Sequence, residues 1–246
     1  MEQNKSKHLR AILDTADGGE AELFVYLAPN PNGLAVIDCP GGGFRQLSAD
    51  NEGHDFSDWF TERGITYCVL EYRLPDGQER RPAADIRAAL EHVRKHSKAW
   101  GVKKIGVMGF SIGGYIAVTA STLFEKGERP NFQLLFYPVV SMTDELTHWP
   151  SRERLAGDDM EEDEQRRLSA ELNVDESVPP TFIALNEDDQ AVKPLGALRY
   201  YEALLDKGIK AELHIYPDGG HGFGFKDDYP HKARLLGQLE DFLKTL

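Results

Sequence analysis

The stretch Lys104-Ile105-Gly106-Val107-Met108-Gly109-Phe110-Ser111-Ile112-Gly113-Gly114 decides the fold. Its first part is a continuous apolar run, the pattern of a strand covered on both faces. Its second part opens a segment of helical pattern that continues to Phe124. Between the two stands a serine with glycines two positions away on either side. A strand that turns into a helix this abruptly crowds its own backbone, and glycine tolerates the crowding because it has no Cβ. Such a turn holds the Ser111 hydroxyl above the sheet edge, at the N-terminus of a helix. The helix dipole and free N–H groups there favour a developing negative charge. Ser111 is therefore a candidate nucleophile. The alternative is an ordinary Gly/Ser-rich turn, and the rest of the chain has to decide between them.

Working outward, apolar runs and helical patterns alternate. Strands are expected at 22–27, 34–39, 66–72, 104–110, 133–137, 181–185 and 212–216, with an irregular segment at 9–13 as a further edge strand. Helices are expected at 55–63, 82–100, 112–124, 194–207 and 232–246. A repeated strand–helix order implies a parallel sheet with right-handed crossovers, hence a doubly wound, mostly parallel α/β domain. Neither repeat nor linker divides residues 1–246, so one domain is expected. One segment, 140–178, is long, acidic and poorly periodic, which marks a lid-like insertion or binding element.

Composition narrows the function classes. Lys and Arg total 28 against 41 Asp and Glu, a net charge of −13. That field repels phosphate backbones and anionic lipid, so nucleic-acid and membrane-surface partners are disfavoured. The first ten residues are polar, with no apolar run of the signal-peptide kind after them, so the chain reads as cytoplasmic. Cys39 and Cys68 both lie in strand-like runs; two buried thiols are expected, and a cross-strand bridge is the alternative. No C-x-x-C, H-E-x-x-H or comparable ligand spacing occurs, so neither metal nor other cofactor is implied.

A serine nucleophile needs a base, and the base needs a carboxylate to orient it. In strand–elbow–helix enzymes the order along the chain is Ser, then Asp or Glu, then His. Of the histidines after Ser111, His214 falls inside a strand and His148 inside the insertion. His221 stands among Gly219, Gly220, Gly222 and Gly224, in a loop that brings the imidazole to Ser111, with His231 as the fallback. The carboxylate belongs in the loop Asn186-Glu187-Asp188-Asp189-Gln190-Ala191-Val192, just past the strand at 181–185. An oxyanion hole needs two backbone N–H groups. Ile112 supplies one, and the loop Pro40-Gly41-Gly42-Gly43-Phe44 supplies the other from among Gly42, Gly43 and Phe44. A phosphate cradle is excluded there, because no Gly-Lys-Ser/Thr follows. Asn51-Glu52-Gly53-His54 either braces the glycine loop or caps a helix. Tyr137 and Trp149 either line a sugar-binding surface or sit in the core.

With these residues in place, the chain resembles α/β-hydrolase esterases of the acetylxylan-esterase-like and feruloyl-esterase-like branch. The resemblance spans 33–246 and is carried by CPGGGFRQLS (39–48), EYRLP (71–75), GVMGFSIGG (106–114), LLFYPVVSM (134–142), SRERLAG (151–157), PPTFIALNEDDQAV (179–192) and the segment 198–224. It implies the α/β-hydrolase fold. It also assigns the carboxylate to Asp189, three residues before Val192 in a D-x-x-V pattern. Pro40 stands where related H-G-G-G loops carry histidine.

The implied activity is serine-dependent hydrolysis of small carboxylic esters, with an acylated sugar such as an acetylated xylo-oligosaccharide as substrate. Phe44 is expected to close the acyl side, and Trp149 to stack on a sugar. A serine peptidase is the alternative enzyme, since the same triad cleaves amides, and a non-catalytic binding protein on this scaffold is the alternative class.

Overall fold

The computed structural model describes residues 8–246. Eight strands form one sheet: β1 (Leu9–Asp14), β2 (Glu20–Tyr26), β3 (Leu34–Cys39), β4 (Thr66–Glu71), β5 (Lys104–Phe110), β6 (Phe132–Phe136), β7 (Thr181–Asn186) and β8 (Ala211–Tyr216). Their spatial order is β1-β2-β4-β3-β5-β6-β7-β8. β1 and β2 form an antiparallel hairpin that joins β4 antiparallel, and the strands from β4 to β8 run parallel.

The central strands are parallel for the reason visible in their composition. All seven residues of β5 except Lys104 are buried, as are all five of β6 and all six of β7. Each fully buried aliphatic or aromatic side chain is worth roughly 1.5–3 kcal/mol, which only a layer on each face can supply. Helices provide those layers: α1 (Ser57–Thr61), α2 (Arg80–Trp100) and α3 (Ile112–Thr122), then, after α4 (Trp149–Ala156) and α5 (Glu162–Arg167) of the 140–178 segment, α6 (Pro194–Asp206) and α7 (Lys232–Leu243). α2 packs on α3, whereas Arg63, just past α1, pairs with Glu240 of α7 at 2.9 Å.

Strand order places the site. The chain leaves β3 to one side to form β4, then returns past β3 to form β5 on its other side. A parallel sheet opens a crevice at such a reversal, beyond the carboxyl ends of the two diverging strands. The glycine loop follows β3 and Ser111 follows β5, so both border that crevice.

Most expected elements match to within two residues, and the departures have causes. β2 begins at Glu20 because its pairing with β1 runs to Asp14↔Glu20. The helix expected at 55–63 divides into a tight turn, His54–Phe56, and a short α1, with Phe56 N–H donating three residues back to Gly53. The last helix stops at Leu243, where Thr245 and Leu246 bond back to Phe242 and Leu243. The segment at 140–178 holds α4, α5 and a turn at Ala170–Leu172. Met142 N–H donates to Ser169 Oγ (2.8 Å) and Ala170 N–H to the Val140 carbonyl (2.9 Å), fastening its two ends together. The cysteines lie on neighbouring strands but are not opposite one another: Cys68 faces Ile37 in the register, and both thiols are buried and free. Among the described residues, no helix is long and apolar enough to cross a membrane.

Candidate active site

The β5–α3 turn is as crowded as its glycines imply. A Cβ on Gly113 would lie 1.9 Å from the Cys39 carbonyl oxygen, and one on Gly109 would lie 2.3 Å from the Gly113 carbonyl oxygen. Ser111 itself takes φ 53° and ψ −120°. A non-glycine residue in such a region costs about 1–3 kcal/mol and persists only where its surroundings impose it. Those surroundings are β6 and its exit: Ser111 N–H donates to the Phe136 carbonyl (3.0 Å), and Val139 N–H donates to the Ser111 carbonyl (2.9 Å).

Ser111 Oγ lies 2.8 Å from His221 Nε2, and His221 Nδ1 lies 2.6 Å from Asp189 Oδ2. With Nδ1–H donating to the carboxylate, Nε2 accepts from the serine hydroxyl. The Asp189 side chain is 1% exposed and that of His221 is 22% exposed. Asp189 Oδ1 accepts the N–H groups of Ala191 and Val192, both at 2.9 Å. This wrapping of the loop around the carboxylate is the geometry behind the D-x-x-V spacing. Asp188 is exposed, yet its carboxylate accepts the N–H groups of Gly220 (2.8 Å) and Gly219 (3.3 Å), fixing the start of the histidine loop. His231 is elsewhere: its Nε2 is 2.7 Å from Asp218, and its ring stacks on Tyr216.

The glycine loop faces the serine from across the crevice. A Cβ on Gly41 would meet Ser111 Cβ at 2.9 Å, and Gly42 adopts φ 122°, a conformation that requires glycine. Gly41 N–H is committed to Glu52 Oε2 at 3.0 Å. Among the described residues, the N–H groups of Gly42, Gly43, Phe44 and Ile112 have no acceptor within the protein. The Tyr72 hydroxyl donates to the Pro40 carbonyl (2.8 Å), which accounts for the tyrosine of EYRLP. The Phe44 ring packs edge to face with Tyr72 and is 3% exposed. So buried a ring offers almost no surface to a substrate, unlike the aromatic wall expected at the acyl side.

The insertion approaches the same place. Arg154 donates to the Gly43 carbonyl (3.2 Å), and His148 Nδ1 is bonded to Ser151 Oγ (2.7 Å). Burial and the nearby His221 push the His148 imidazole below its ordinary value. Trp149, at the start of α4, is 51% exposed and so is no core residue; the guanidinium of Arg152 lies 3.9 Å over its ring. Tyr137 has the opposite fate. It is buried, its ring is edge-on to His221 (4.7 Å), and its hydroxyl donates to Glu52 Oε1 at 2.7 Å. Glu52, 4% exposed, thus braces the glycine loop and caps no helix. The sequence singled out both residues without joining them. No group of three His, Cys, Asp or Glu side chains among the described residues is placed to hold a metal ion.

The chain is similar to several known proteins. Residues 57–245 match the model of the Prolyl oligopeptidase family. An acetylxylan esterase of Xylanibacter ruminicola is 36% identical over 242 residues, covering 95% of this chain and 50% of that protein. The chain therefore spans about half the length of that curated relative. The acetyl ester-xyloside bifunctional hydrolase from Caldicellulosiruptor lactoaceticus superposes with a TM-score of 0.87 at 29% identity, over 92% of this chain and 88% of the other. A thermophilic esterase of Thermogutta terrifontis with butyrate bound gives a TM-score of 0.81 at 22% identity, over 99% and 95% of the two chains, a likeness of fold.

Proposed function

Because this chain belongs to the prolyl oligopeptidase family and has the α/β-hydrolase fold, we propose that it is a serine-dependent carboxylic ester hydrolase. Its substrates are carbohydrates bearing acetyl or other short acyl groups, such as acetylated xylo-oligosaccharides. One observation carries the proposal: a strained serine at a strand-to-helix turn, bonded in series to a histidine and a buried aspartate.

The mechanism follows from the bonds. Ser111 Oγ attacks the ester carbonyl while His221 Nε2 takes its proton, and Asp189 holds the imidazole in the tautomer that leaves Nε2 free to accept. Negative charge develops on the carbonyl oxygen and is met by Ile112 N–H and by a donor from Gly42, Gly43 or Phe44. His221 then protonates the leaving alcohol, and the acyl group remains on Ser111. Water repeats the sequence to release the acid. The freedom of these N–H groups, against the commitment of Gly41, supports their part as oxyanion donors.

The named activities of the Xylanibacter and Caldicellulosiruptor relatives support the acetylated-sugar substrate. Trp149, exposed at the start of the helix whose Arg154 reaches the glycine loop, is the surface on which a sugar stacks. A peptidase activity is the second reading, favoured by the description of the matching family. Measuring kcat/KM on acetyl, butyryl, octanoyl and feruloyl esters, on acetylated xylo-oligosaccharides and on a proline-containing peptide anilide separates the two. The expected order places acetyl esters first and the peptide last. A peptide cleaved faster than every ester would reverse the assignment.

A further inference from the structure

The two loops that carry the site belong to strands that are not neighbours. The glycine loop leaves β3 and the histidine loop leaves β8, with β5, β6 and β7 between them. No sheet hydrogen bond fixes the distance between these loops, yet a triad and its oxyanion donors need positions held to about 0.5 Å. Something else has to set that distance.

Residues 51 and 52 do so from both ends. Glu52 Oε2 accepts Gly41 N–H of the glycine loop, and Oε1 accepts the Tyr137 hydroxyl. The Tyr137 oxygen in turn accepts Gly224 N–H of the histidine loop at 3.0 Å. Alongside, Phe225 N–H donates to both the backbone carbonyl (2.9 Å) and the side-chain oxygen (3.1 Å) of Asn51, and Asn51 Nδ2 approaches the Gly222 carbonyl (3.4 Å). We infer that Glu52 is a positioning residue whose buried carboxylate clamps the glycine loop to the histidine loop, so that Ser111, His221 and the oxyanion donors keep one mutual geometry. The inference rests on the hydrolase reading proposed above.

The carboxylate is suited to this task because both partners are donors, so one anion satisfies both at once. A glutamine offers one acceptor and would leave either Gly41 N–H or the tyrosine proton without one. Gly41 matters because its bond to Glu52 orients the backbone that then presents Gly42, Gly43 and Phe44. Tyr137 matters because it adopts φ 37°, beside the imidazole it contacts. The charged and titratable groups facing Glu52 are Asp38 of β3, Tyr72 after β4, Tyr137 after β6, and His221 and Lys226 of the histidine loop. Those facing His221 also include Asp189 and His148. Burial pushes the Glu52 carboxyl above its ordinary value, while the Tyr137 hydroxyl and the Gly41 N–H that donate to it oppose that rise.

The test compares the chain of residues 1–246 with its Glu52→Gln, Tyr137→Phe and double variants. Active sites are counted with a fluorophosphonate, so that unfolded protein drops out of each kcat. On p-nitrophenyl acetate, Glu52→Gln is expected to lower kcat about 10–100-fold with KM changed less than about threefold, the scale of a misplaced reacting group. The double variant loses less than the product of the two single losses, since both break one chain. An unchanged kcat per titrated site overturns the inference, and so do single losses that multiply in the double variant. Should Glu52→Gln not fold, Tyr137→Phe, which removes one hydroxyl, carries the kcat comparison. If the wild-type chain labels with fluorophosphonate but leaves the acetate intact, the ester proposal falls alone. The labelling rate constant then replaces kcat, expected about tenfold or more slower in the variants.

Discussion

Ser111 and His221 meet at hydrogen-bond distance only because each is held by something unlike itself. The serine sits in a strained turn pinned by β6, and the histidine sits on a glycine-rich loop pinned by Asp188, Asn51 and Tyr137. Ser111→Ala should lower kcat by about 10⁵–10⁶ with an unchanged melting temperature. His231→Ala should be mild, because that imidazole is engaged with Asp218 and Tyr216. Retention of a tenth of the activity in the first variant would remove Ser111 from its role. The neighbouring aspartates separate by what they bond. Asp189→Asn should lower kcat about 10⁴-fold through the wrong imidazole tautomer. Asp188→Asn touches only the loop backbone, where an exposed hydrogen bond is worth about 1 kcal/mol; its loss in kcat should stay under about tenfold. Equal losses in steady-state kcat would show that the D-x-x-V spacing had misplaced the carboxylate.

Among the elements, those buried on both faces were legible in advance. β3 and β5 fall at their expected bounds, because an unbroken apolar run between turn residues admits few alternatives. α4 and α5 were not legible, and their lengths of eight and six residues say why. Helices that short are marginal on intrinsic propensity, and no residue of α5 is buried. α4 is held by tertiary contacts instead: Arg152 donates to the Met142 carbonyl (2.9 Å) and to Asp144 (2.6 Å), and Arg154 reaches Gly43. This makes α4 a fixed wall beside the glycine loop with Trp149 at its exposed start. Trp149→Ala should therefore lower kcat/KM on acetylated xylo-oligosaccharides about 10-fold while leaving p-nitrophenyl acetate nearly unchanged, since a remote sugar contact serves only the larger substrate. The melting temperature should fall only slightly, because the residue is half exposed and loses one cation–π contact, to Arg152, worth about 0.5–1 kcal/mol at an exposed site. An equal drop on both substrates would sink the stacking role.

Across the whole molecule, legibility fails where residues far apart in sequence are joined by a single buried group. Glu52 and Tyr137 are 85 positions apart, and Asn51 and Gly222 are 171 apart. Local pattern says nothing about such pairs, so the triad could be named in advance, whereas the segment 51–54 could be read only as brace or cap and its link to Tyr137 could not be read at all. The same holds for Asp38 on β3, fully buried at the centre of the sheet, whose two carboxyl oxygens have no hydrogen-bond partner. The Tyr67 hydroxyl beside it donates to the Gly53 carbonyl (3.0 Å). Burial, with a contribution from Glu52, pushes the Asp38 carboxyl well above the usual carboxylate range. A buried unpaired carboxylate is costly enough that the group takes up a proton instead. The consequence for stability has a definite sign. The folded state holds a proton that the unfolded chain releases near pH 4, so this contribution is complete below that pH. It is lost as pH rises from about 4 through the raised folded value. Asp38→Asn keeps the shape and removes the proton dependence. Its melting temperature relative to the parent should therefore climb steadily between pH 4 and pH 8, with little or no advantage at the acid end. Glu52 titrates in both proteins and largely cancels from the difference. Thermal unfolding at pH 4, 6 and 8 decides the matter: a difference that stays constant across the range would mean that Asp38 folds as a carboxylate, with its charge compensated.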